Sequence, residues 1–184
     1  PGDGLTSDVH EFRLVSGGRA LITSYRPVTA DLRSIGGPAN GTMYDCIASV
    51  VDVASGRVIS RWDARQHVPI TDTESAKTPG DAAFDPFHMN SIALDPAGNL
   101  IISMRNTSAV YDVNPSTGVI NWQLGGKHPT LRADAGVEFA FQHDAEFVGP
   151  NEITLFNDNS SGADTRGLSS AEAIHIDAAH HHAT

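Results

Sequence analysis

The 184-residue chain is short of several things, and each shortage excludes a class of protein. It has one cysteine, Cys46, so no internal disulfide framework is available. The apolar setting Asp45-Cys46-Ile47-Ala48 marks that thiol as a small buried hydrophobe and not a reactive group. Only two lysines accompany ten arginines, and the net charge is −10. Nucleic acid is therefore excluded as a partner, because phosphate binding needs a basic surface. A local cluster of arginine and histidine inside the acidic shell still suits a small anion. No apolar run approaches the ~18–20 residues of a membrane span. No segment repeats at helical period. The chain opens at Pro1 without a signal-like stretch, and we expect its native N-terminus to have been removed.

What is present is β-structure. Apolar residues make up 40% of the chain, enough for a core in one domain. Residues 9–15 and 19–25 alternate and flank Ser16-Gly17-Gly18, a hairpin signal. Residues 26–42 hold Pro27, Pro38 and Asn40-Gly41 and read as a long loop. Met43–Val53 and Arg57–Trp62 complete four consecutive β-runs. Residues 65–86 read as a crossover loop. The order then repeats in His88–Leu94, Leu100–Arg105, Ser108–Val113 and Val119–Leu124. After a second crossover, a third unit opens at Phe141–Val148 and Ile153–Asn157. Residues 158–170 read as a loop, and Ala173–Asp177 supplies a third strand. A fourth strand of this unit is expected beyond Thr184.

Four-stranded units at this spacing predict an all-β fold, a β-propeller with about three blades. The expected organisation is one domain: linker 1–7, first blade 8–64, crossover and second blade 65–125, crossover and incomplete third blade 126–184. Known propellers close with about 4–8 blades. The remaining blades of a longer chain, or a second copy, are expected to complete the ring. The first option is favoured by the missing fourth strand.

Each unit begins with a histidine: Asp8-Val9-His10, Phe87-His88-Met89 and Phe141-Gln142-His143. The first strand of a blade lines the central channel, so these imidazoles are expected to share one space. Asn90 falls on the face of His88 by strand alternation. Arg105 leaves the adjacent strand at the matching end of the hairpin. Three imidazoles, an amide and a guanidinium suit an anion with several acceptor oxygens.

His-Met-Asn-Ser-Ile at 88–92, Arg105, Trp-Gln-Leu-Gly-Gly-Lys at 122–127 and Gln-His-Asp-Ala-Glu-Phe at 142–147 resemble the arylsulfotransferase family. Asp-Val-His-Glu-Phe at 8–12 fits the same pattern. The likeness is closest to a secreted bacterial and fungal branch and runs from about residue 8 to 177. It implies a six-bladed propeller that moves a sulfuryl group from an aryl sulfate to a phenol without a nucleotide donor. It implies that His143 becomes sulfated, that His88, Asn90 and Arg105 hold the sulfuryl oxygens, and that His10 completes the pocket. It also implies no metal, no other cofactor, and a secreted or extracytoplasmic location. Three Asn-x-Ser/Thr sequons, at Asn40, Asn106 and Asn159, fit that location without requiring it.

Other readings remain open. Three histidines around an axis also suit zinc, copper or iron with open positions for substrate. A non-catalytic propeller serving as a binding scaffold is a further option. Trp62 and Trp122 read as packing between blades. His180, His181 and His182 read as a turn on the outer rim. Glu11 and Asp144 follow pocket histidines, point away from them, and read as structural or orienting.

Overall fold

Gly17 and Gly18, both at positive φ, fold the first strand back on the second, and a succession of such hairpins builds the molecule. The computed structural model describes residues 4–75, 79–80, 82–160 and 164–184. Strands β1 (Ser7–Val15), β2 (Arg19–Ala30), β3 (Gly41–Asp52) and β4 (Val58–Asp63) form one antiparallel sheet in chain order. Strands β5 (Met89–Leu94), β6 (Leu100–Met104), β7 (Ala109–Val113) and β8 (Ile120–Gly125) form a second. The third has five strands, β9 (Arg132–Ala133), β10 (His143–Gly149), β11 (Glu152–Asn157), β12 (Ser170–Asp177) and β13 (His182–Ala183). Their order is β10-β11-β12-β13-β9. The fold is all-β, with no α-helix among the described residues.

The second sheet is the middle layer. Leu21, Ala48 and Trp62 of the first sheet pack on its Ile92, Leu100 and Tyr111. Its other face presents Ala93, Ile101 and Leu124 to Ile153, Ile174 and Ile176 of the third. Burial on both faces explains why Leu100–Met104 is buried at every position and apolar at all but Ser103, without alternation. Both tryptophans sit in these joins. Trp62 Nε1 donates to the Gly118 carbonyl at 3.1 Å, and Trp122 lies between the second and third sheets. Cys46 is fully buried, and burial pushes its thiol up.

Four expectations need correction. Residues 26–42 are not one long loop: β2 continues to Ala30 and β3 starts at Gly41, with Pro27 paired to Tyr44. Proline is tolerated because β1 ends its pairing at Ser7 opposite Ser24, which leaves that side of Pro27 a sheet edge. The third sheet does not lack a fourth strand within the chain. His182–Ala183 pairs with β12, and β9 adds in parallel to it. A strand of two residues carries no periodicity, and its ties are to residues far away in the chain: His182 Nε2 lies 2.7 Å from Asp134 Oδ1, and Arg132 N donates to the His181 carbonyl at 2.9 Å. His182 is accordingly in a strand, while His180 occupies a 3-10 turn with Nδ1 2.8 Å from Asp177. Of the expected linker, residues 1–3 lie outside the described residues and Ser7 is already in β1. The crossover at 65–86 holds the 3-10 turn Ile70–Asp72 and a parallel bridge from Phe84 to Met43, with residues 76–78 and 81 outside the described set.

At the hairpin end of the middle sheet, Asp112 is buried next to Asp95 and accepts from Asn121 Nδ2 at 2.5 Å. Burial, with Asp95 alongside, pushes its carboxyl up to about 6 from 3.8. The folded state therefore binds the proton more tightly than the unfolded chain. Its contribution to stability is full below the unfolded value and is lost as pH rises through about 6. Thermal melts across that window are expected to show the loss. Asp112→Asn, which keeps an acceptor for Asn121, is expected to flatten it.

Candidate active site

His88 sits just before β5 at φ 54°, a conformation uncommon for a residue with a side chain. Asp85 holds it there. Its Oδ1 accepts from His88 N at 2.8 Å and Phe87 N at 3.3 Å, and its Oδ2 lies 2.6 Å from His88 Nδ1. Asp8 uses the same device: its Oδ1 accepts from His10 N at 3.0 Å and also meets His10 Nδ1. His143 opens β10 between two more residues at positive φ, Phe141 and Asp144. Its Nδ1 lies 3.2 Å from Asp158 Oδ2. Such strain concentrates where a fold over-determines functional groups.

The sequence-predicted residues come together. The rings of His10 and His88 are 4.8 Å apart, edge to face. Tyr25 stacks on His10 at 5.9 Å and stands edge-on to His88 at 6.0 Å. Its hydroxyl donates to the Met89 carbonyl at 2.8 Å. Burial raises that phenol far above its ordinary range, so it stays protonated and serves as a wall. Burial also holds His143 below the usual histidine range. Asp158 opposes this, while Arg105 and His88 act in the same direction as burial. His143 thus feels both Arg105 and His88 and favours its neutral form. The side chains of His10, His88 and His143 keep 26%, 26% and 34% of their surface open, so a ligand can reach all three.

Arg105 begins a 3-10 turn directly after β6. Its main-chain N–H donates to the His88 carbonyl at 2.9 Å, which joins the two residues the sequence paired. The guanidinium lies over the Phe141 ring at 4.6 Å and donates to Asn106 Oδ1 at 3.0 Å. No carboxylate among the described residues pairs with it, unusual in so acidic a chain. The Gly125-Gly126 pair seats this turn. Both are at positive φ, and a Cβ on either would stand 2.6 or 2.7 Å from the Ser108 or Thr107 carbonyl. Asn90 is buried. One N–H of its amide goes to the Gln142 carbonyl at 2.8 Å, a second remains, and Oδ1 has no partner.

Sequence reading missed Asp8, Asp85, Asp158, Tyr25 and Asn106. The first two carried a local signal, an aspartate two or three residues before each histidine. Asp158 carried none. Asn106 turns inward, donating to the Asp85 carbonyl at 2.7 Å, so its sequon is buried in the fold. Glu11 and Asp144 do point away from the rings. They meet Arg13, which also pairs with Glu146 and ties β1 to β10.

Chemically, imidazoles beside a guanidinium with no carboxylate partner are the donor set that suits a tetrahedral oxyanion. Among the described residues, no three or more His, Cys, Asp or Glu side chains are grouped to hold a metal ion. This defines the class: an all-β protein in which histidines from three sheets come together with an arginine. The chain belongs to the arylsulfotransferase family, since the family model described as Arylsulfotransferase (ASST) matches residues 3–184. That membership carries a sulfotransferase-like function and small aryl substrates. No curated protein gives a significant match. No helix among the described residues is long and apolar enough to cross a membrane.

Proposed function

We propose that this chain moves a sulfuryl group from a phenolic sulfate ester to a phenol through a sulfohistidine at His143. The observation that carries the reading is the meeting of His10, His88, His143 and Arg105, drawn from all three sheets. A neutral imidazole is a competent nucleophile near neutral pH, and burial keeps His143 neutral. Its free nitrogen attacks sulfur, the aryl C–O–S linkage breaks at the S–O bond, and the electron pair leaves with the phenolate. His10 or His88, when protonated, hands that phenolate a proton. An acceptor phenol reverses the sequence. Arg105, His88 and the second N–H of Asn90 hold the sulfuryl oxygens, as in other transfers governed by alignment and charge stabilisation. No step calls on a metal or other cofactor.

We further infer that the three sheets are consecutive blades, 8–64, 65–125 and 126–184, of a β-propeller. Their first strands β1, β5 and β10 pack together, and Arg13 joins the outer two. Phe12 and Leu14 are exposed on the first sheet, where further blades or a second copy would cover them. Family membership and the exposed sequon at Asn40 support a secreted or extracytoplasmic location.

The test is release of 4-nitrophenol from 4-nitrophenyl sulfate, with phenol as acceptor and no nucleotide. Acceptor-dependent release by the full-length protein is expected. Absence of turnover moves the reading to a non-catalytic propeller, and turnover abolished by chelators moves it to the metal-enzyme alternative.

A further inference from the structure

The three imidazoles share a feature that their sequence register does not explain. Each meets an aspartate, and each through Nδ1: His10 and His88 in hydrogen bonds with Asp8 and with Asp85 at 2.6 Å, and His143 in an ion-pair contact with Asp158 at 3.2 Å, its ring also hydrogen-bonded to the Phe141 main chain. A carboxylate is an acceptor only, so the ring nitrogen facing it carries the proton. In a neutral ring that leaves the lone pair on Nε2, and in a cationic ring it leaves Nε2–H as the remaining donor. One chemical device therefore aims the same atom of all three residues away from its aspartate.

The three aspartates are not equivalent. Asp8 and Asp85 also accept main-chain N–H groups, so they build the local turns as well as hold the rings. Asp158 follows β11 and comes to His143 across the hairpin, where His143 pairs with Phe156. Its carboxylate is the group facing the ring that Arg105 and His88 also influence.

We propose that Asp158 is a positioning residue that fixes His143 in the Nδ1–H tautomer and so presents Nε2 to the donor sulfur. This rests on the transferase reading for what Nε2 does, but not for which tautomer is held. In the transfer step the N–S bond forms at Nε2 and the S–O bond breaks. The aryl oxygen keeps the electron pair. The Nδ1 proton stays on the ring, where Asp158 offsets the positive charge that develops.

Asp158→Asn separates position from charge and shape. An amide can turn its NH₂ toward Nδ1, which forces the proton onto Nε2 and blocks the lone pair. The same exchange behind a catalytic histidine elsewhere lowers turnover by about 10⁴-fold through the wrong tautomer. We expect a fall of about 10²- to 10⁴-fold in formation of the sulfated enzyme, with the donor KM little changed. Asp158→Ala is expected to lose less, and Asp158→Glu to recover most of the rate.

The independent readout is ¹⁵N NMR of the histidine rings in the full-length protein. Nδ1–H is expected at His143 in the parent and Nε2–H in Asp158→Asn. If the tautomer switches in a protein that never transfers sulfuryl groups, the positioning role stands and the transferase reading falls. If the parent ring is already Nε2–H, or Asp158→Asn transfers at the parent rate, the proposal is overturned. The parent spectrum decides even if the asparagine variant does not fold.

Discussion

Replacing His143 by alanine is expected to lower sulfuryl transfer by about 10⁴- to 10⁶-fold, the range seen when a covalent nucleophile is removed. The loss should fall on kcat, because no remaining group takes the intermediate. His10 and His88 are near, but each is held to its own aspartate and together they occupy one edge-to-face pair. Neither can swing into the place of a ring carried by another sheet. The fold should survive. The His143 ring is one-third exposed and meets Asp158 and the Phe141 main chain, while the core of its sheet is made by Ala145, Ile153 and Ile174. The check is 4-nitrophenol release beside a thermal melt. A variant that melts like the parent and still turns over at a comparable rate removes His143 from the mechanism.

Arg105→Lys is expected to cost nearly as much as Arg105→Ala, about 10²- to 10³-fold in kcat/KM for the sulfate donor. A lysine keeps the charge but loses the planar fork and the face that lies on Phe141. Sulfuryl oxygens are spread around one sulfur, so a fork can hold two where an ammonium holds a point. The loss should be specific for the sulfated substrate. Steady-state kinetics with donor and acceptor varied in turn will show it. A loss confined to the acceptor phenol places Arg105 outside the oxyanion site.

The strands that build the sheets were legible because two simple patterns mark them. Hairpins such as Arg19–Val15 through Gly17-Gly18 announce themselves by turn chemistry, and the buried middle layer by short apolar runs such as Leu100–Ile102. The histidines were legible because each stands at the head of a unit. Harder were features set by partners far away in the chain. Pro27 joins β2 because the strand beside it has already ended, which no local pattern records. The pairing of β13 with β9 rests on Asp134 and His182, distant in sequence. Asp158 reaches His143 across a hairpin, and Tyr25 reaches two imidazoles from the second strand of the first sheet. The positive φ at Phe141 is also invisible beforehand, because a bulky aromatic residue does not favour it.

The most direct measurement is mass spectrometry of the protein after brief exposure to an aryl sulfate with no acceptor. One sulfuryl group on the peptide that carries His143, discharged when phenol is added, is the expected result. Product forming while His143 stays unmodified, or the group residing on another residue, contradicts it.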